Sequence, residues 1–154
     1  MTGITQTQTT SFKVDCLSVQ HNFSTLSRNV TGQDTFKIAL YLVANGASLD
    51  ATTTAYTTTG EVVGTGYTAG GVTMTIIQTP TSSGTTAYIN FGNASWGPGA
   101  AFSADGALIY NSTNGNKSVA ILNFGGTKTT TNNFVIVFPV AITSGIVTAI
   151  VQTA

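Results

Sequence analysis

Charge is what this sequence has least of. Only 6% of its residues are Asp, Glu, Lys or Arg, against roughly 25% in an ordinary soluble domain. Five acids balance five bases, so the formal net charge is zero. A nucleic-acid partner calls for a basic footprint, and an anionic membrane calls for the same, so neither is expected. Nor does mutual repulsion keep such a surface monomeric. The single cysteine, Cys16, excludes an internal disulfide. It suits a chain assembled in a reducing cytosol, and its expected role is that of a small buried hydrophobe. Apolar runs are far too short to span a bilayer. The opening MTGITQTQTT has neither a basic segment nor an apolar one, so export through a signal peptide is not expected. Five N-x-[ST] sequons begin at Asn22, Asn29, Asn93, Asn111 and Asn116. They are expected by chance in a chain this rich in Asn, Ser and Thr, and glycosylation is not expected.

What the sequence does have is hydroxyl groups and β-branching. Thirty of its 154 residues are threonine, while 42% belong to the hydrophobic set. That length is one ordinary domain with a sizeable core. Threonine suits the outer face of a strand, and an uncharged hydroxyl-rich surface packs against other subunits with few ions to desolvate.

The pattern along the chain is that of short strands. Residues 1–11 are polar and read as an extended arm, with residues 12–154 as a single β domain. In SFKVDCLSVQHNF, Ser11 could cap a short helix with Phe12, Cys16 and Leu17 on one face. Phe12, Val14, Cys16 and Ser18 alternate equally well along a strand, and the helix is favoured. FKIALYLV (36–43) is the clearest strand. It is apolar on both faces beyond Lys37, as an inner strand would be. Residues 47–71 read as a long glycine-rich surface excursion with at most one short strand. Further strands are expected at 72–78 (closed by Pro80 and a Ser82-Ser83-Gly84 turn), 86–92, 107–111, 117–124, 133–139 and 145–152. The Asn114-Gly115 turn between ALIYN and KSVAILNF is the strongest hairpin signal. The expected fold class is all-β: a single-domain β-sandwich or jelly-roll-like barrel with an extended N-terminal arm and at most one short helix.

Titratable groups are scarce. His21 is the only imidazole, and a triad would need it beside a nucleophile and an acid such as Asp15 or Asp34. No G-x-S-x-G string occurs. A glycosidase pair would come from Asp15, Asp34, Asp50, Glu61 and Asp105. Calcium would draw on Asp50 or Asp105, but no EF-hand string is present, and zinc would need more Cys and His than exist. GEVVGTGYTAGG lacks both phosphate-binding glycine patterns. No catalytic residue, cofactor or metal is therefore expected. Tyr56, Tyr67 and Trp96 lie in loop-like segments. They are the candidate interface residues, as anchors for a partner subunit or for sugar stacking. The other reading, which is favoured, is that they plug the ends of the sandwich.

SFKVDCLSVQHNF (11–23), DTFKIALY (34–41), TTTAYTTTGEVVGTGYTAGGVTMT (52–75), ASWGPGAAFSADGALIYNSTNGNKSVAILNFGG (94–126) and NFVIVFP (133–139) together resemble a family of small virion proteins encoded by tailed bacteriophages and prophages. The resemblance covers most of the chain in order. It marks His21 and the Tyr56–Gly71 loop as family features, and it implies a non-enzymatic, assembled role as a decoration or cement protein on a capsid. It transfers no functional residues. One departure is VQH at 19–21, where a glycine is expected before the histidine's neighbour. The partners implied are a major capsid protein or other virion subunits, with homo-oligomerisation, in a virion assembled in the host bacterial cytoplasm. The alternatives are a tail, neck or fibre component, or a carbohydrate-binding β-sandwich.

Overall fold

A computed structural model describes residues 3–24, 32–83 and 86–138. In chain order the elements are β1 (Gly3–Ile4), β2 (Thr7–Gln8), α1 (Thr10–Leu17), β3 (Phe36–Tyr41), a 3-10 turn (Val43–Asn45), β4 (Ser48–Leu49), β5 (Val72–Met74), β6 (Ile76–Ser83), β7 (Thr86–Phe91), β8 (Ala94–Trp96), β9 (Phe102–Asn111), β10 (Lys117–Thr130) and β11 (Phe134–Ile136). The domain is all-β; among the described residues there is one α-helix and no sheet closes into a barrel.

The centre is a five-stranded sheet in the order β2-β10-β9-β3-β5, every pairing antiparallel. Alternation along β3 sends Phe36, Ile38 and Leu40 to one face and Ala39 and Tyr41 to the other. Both sets are buried. In β9, Ala107 and Ile109 oppose Leu108 and Tyr110 in the same way. Two apolar layers result, one on each face. The first takes in Phe12 of α1, Phe91 of β7, Trp96 of β8 and Phe102 of β9. The second takes in Ile4 of β1, Leu49 of β4 and Ala47. The inner-strand reading of β3 follows from this double coverage.

The expected arm is strand-paired within its own chain over residues 3–8. β1 runs parallel to β4, and β2 pairs with β10 at Thr7↔Ile121 and Gln8↔Ala120. Thr9 then caps α1, its hydroxyl accepting from the Phe12 N–H at 3.2 Å. The cap is thus Thr9 rather than Ser11, whose hydroxyl bonds Thr9 and Ser118 instead. The helix buries Phe12 and Asp15, while Cys16 and Leu17 are exposed. The expected Phe12–Cys16–Leu17 face is therefore corrected, and so is the buried role of Cys16. Asp15 is drawn inward because Lys117 of β10 meets it there.

Several strand boundaries also differ: β9 begins at Phe102 rather than at residue 107, and β8 was not expected at all. The expected 72–78 strand divides at Thr75. Val72–Met74 joins the central sheet, while Ile76–Ser83 pairs with β7 in a separate ribbon. Pro80 lies inside that ribbon, at a register shift between Gln78 and Thr81 where its missing N–H breaks no ladder bond. β10 continues to Thr130 through Gly125-Gly126, again by a register shift. The hairpin at Asn114-Gly115 forms as expected, with Asn111 opposite Lys117. The strand expected at 145–152 lies outside the described residues.

Candidate functional site

The glycine-rich excursion folds around one carboxylate. Glu61 is buried, and its Oε1 accepts from the Tyr67 hydroxyl at 2.7 Å and the Gly70 N–H at 2.6 Å. Its Oε2 accepts from the Tyr56 hydroxyl at 2.6 Å. Charged acceptors make such bonds roughly twice as strong as neutral ones. Two further tyrosines close the cluster: Tyr41 donates to Thr57 O at 2.6 Å and Tyr110 to Gly70 O at 2.8 Å. Burial, followed by the hydrogen bond to Glu61, pushes the Tyr56 and Tyr67 phenols above their ordinary range. The loop therefore needs no long strands of its own. Gly71, at φ +67°, fits where any Cβ would collide with the Ile38 carbonyl.

Tyr56, Tyr67 and Trp96 are brought together by this arrangement, but facing inward. Tyr56 is half-buried and stacks on Tyr110 with ring centroids 4.8 Å apart. Tyr67 stacks on Trp96 at 6.3 Å, and its hydroxyl also accepts from the Leu40 N–H at 2.9 Å. Trp96 is 4% exposed and sits edge-on to Phe102 and Phe134. It presents no face on which a sugar or a partner could stack. Trp96 and Tyr67 fill the core between β8, β9 and the loop, as plugs would.

The second polar cluster surrounds His21. Its side chain is fully buried between the rings of Phe12, Phe23 and Phe36. Asn111 of β9 fixes the imidazole. Its Oδ1 accepts from the Thr113 and Asn114 N–H groups at 3.0 and 3.1 Å. Its Nδ2 therefore donates to Asp34 at 2.6 Å and to His21 Nδ1 at 3.1 Å. Nδ1 must accept, so the ring proton is on Nε2. Nε2 lies 3.8 Å from Asp15 Oδ2 and has no hydrogen-bond partner among the described residues. Lys117 Nζ donates to both Asp15 oxygens at 3.0 and 3.1 Å. Burial pulls the imidazole below its ordinary value, against the opposing pull of Asp15 and Asp34.

The structure thus places both candidate acids, Asp15 and Asp34, around His21, whose hydrogen bond at Nδ1 is with Asn111 rather than with a serine or cysteine among the described residues. Ser118, a buried hydroxyl, bonds Thr9 and Thr53 O. Asp50 is exposed and bonds Thr52, while Asp105 holds the Val43 N–H and the Thr127 hydroxyl. No group of three His, Cys, Asp or Glu side chains gathers as a metal site among the described residues.

Sequence reasoning did not single out the exposed apolar side chains. Val14, Leu17 and Val19 are 57%, 88% and 79% exposed, and Val63 of the glycine-rich loop is 87% exposed. Val14 and Leu17 share the outer side of α1 by i,i+3 spacing. Val19 ends the helix in a Schellman arrangement: Gln20 N–H bonds Asp15 O at 2.8 Å and Val19 N–H bonds Cys16 O at 3.3 Å. The capping position takes φ +57°, where glycine is the usual occupant.

Comparison of the chain with protein-family models, with curated proteins and with solved structures returned no match.

Proposed function

We propose that this chain is a structural protein of a tailed-phage virion, a decoration protein that binds the capsid exterior. One observation carries the reading. Large apolar side chains stand in solvent at the end of α1 and at Val63, on a molecule with almost no charge to keep that surface apart. Association there buries apolar area at about 25 cal/mol per Å² and desolvates few ions. The resemblance of residues 11–23, 34–41, 52–75, 94–126 and 133–139 to small virion proteins points the same way. Residues 3–8 are committed to the chain's own sheets, so the reading assigns subunit contact to the helix end and Val63. Repetition on a symmetric shell multiplies a modest contact by avidity.

Cryo-microscopy of particles carrying this protein tests the assignment. Density over the whole capsid surface, lost on Leu17→Lys, is expected. Density confined to tail, neck or fibre would move the protein there and end the capsid reading.

A further inference from the structure

We propose that the Asp34–Asn111–His21 chain is an acid-operated latch, which holds the 112–116 turn and residues 20–22 against the sheet and opens when His21 takes up a second proton. The argument is geometric. The Asn111 amide is oriented by two backbone donors, Thr113 and Asn114, and by the Asp34 carboxylate. It cannot turn its oxygen toward His21 without orphaning both N–H groups. A proton on Nδ1 would therefore face the Nδ2 hydrogens, donor against donor. The charged groups around the ring are Asp15 from α1, Asp34 from the segment leading into β3, and Lys117 from β10, itself bonded to Asp15. The remaining walls are Phe12, Phe23 and Phe36.

The direction follows from linkage. In the closed state the imidazole is held below its ordinary 6.5, so the open state binds more protons under acid conditions. Closure is fully favoured above about 6.5. Below it, closure loses about tenfold per pH unit until the closed state itself protonates.

His21 is the sole histidine, so one ring reports without ambiguity. Nitrogen NMR should find the Nε2–H tautomer near neutrality, and a ring that titrates below the ordinary 6.5. Exchange of the Thr113 and Asn114 amides, corrected for intrinsic rates, should accelerate by about tenfold per unit below 6.5. In His21→Asn, whose oxygen can accept from Asn111 at any pH, the corrected exchange should stay flat. A ring titrating near 6.5 with unchanged amide protection, or an Nδ1–H tautomer, would overturn the latch. Should His21→Asn fail to fold, the wild-type ring and amide measurements decide alone.

Discussion

Replacing Val19 by glycine should make the isolated protein more stable. An L-residue in the left-handed region costs about 1–2 kcal/mol, with β-branched side chains toward the upper end. Glycine removes that cost. Two smaller effects oppose it. The unfolded chain gains backbone freedom worth about 0.4–1 kcal/mol. The side chain, 79% exposed, gives up the fifth of its surface that is covered, about 0.3–0.6 kcal/mol. The net gain is about 0.5 kcal/mol, or roughly 1–2 °C in a domain of this size. Val19→Ala is the sharper comparison, because it keeps a Cβ in the strained position. The glycine variant should exceed it by about 1 kcal/mol. Urea denaturation of the three proteins, with a common slope, measures both differences. An alanine variant as stable as the glycine variant would show that residue 19 is not held at positive φ, and the reasoning would fail. The same glycine variant should bind particles more weakly, because the side chain kept at that cost is one the proposal places at the contact.

Other perturbations follow from the two clusters and the sheet. Glu61→Gln should cost about 2 kcal/mol in urea denaturation, because three donors lose a charged acceptor; Glu61→Ala should cost more, because Gly70 N–H is left unpaired. Gly71→Ala should prevent accumulation of folded protein, since its Cβ meets the Ile38 carbonyl, whereas Gly115→Ala, also at positive φ but with open space around it, should cost only about 1 kcal/mol by the same measurement. Trp96→Ala should lower stability by about 3–5 kcal/mol as a core truncation, measured by thermal unfolding, and should not be read as removal of a binding surface.

The parts of the fold that were legible in sequence are those set by local pattern. β3 announces itself by apolar residues on both faces, and the β9–β10 hairpin by Asn114-Gly115. What stayed hidden depends on partners distant in the chain. Asp15 reads as a surface acid until Lys117, 102 residues away, is seen beside it. Glu61 is one acid among five until the loop wraps its tyrosines around it. The split at Thr75 was invisible because Val72, Met74 and Ile76 keep perfect alternation while the chain changes sheets. Trp96 sits beside Gly97-Pro98-Gly99, which reads as loop, yet Trp96 pairs with Phe134 in a short ladder that only the tertiary fold supplies. The clustering of Asp15 and Asp34 at His21 was open in the sequence only as a list of candidates. Asn111, which orients the ring, carried no signal beyond its sequon.

The pairing of β2 with β10 has a consequence for synthesis. Thr7 emerges from the ribosome long before Ile121, its partner in the sheet. At synthesis rates of about 5–20 residues per second that interval is roughly 6–23 s. During it the early chain must wait, sparsely charged and strand-prone, for the long strand that completes the central sheet. Such dependence on distant pairing makes for slow folding, and it makes the nascent chain a natural client for a holding chaperone.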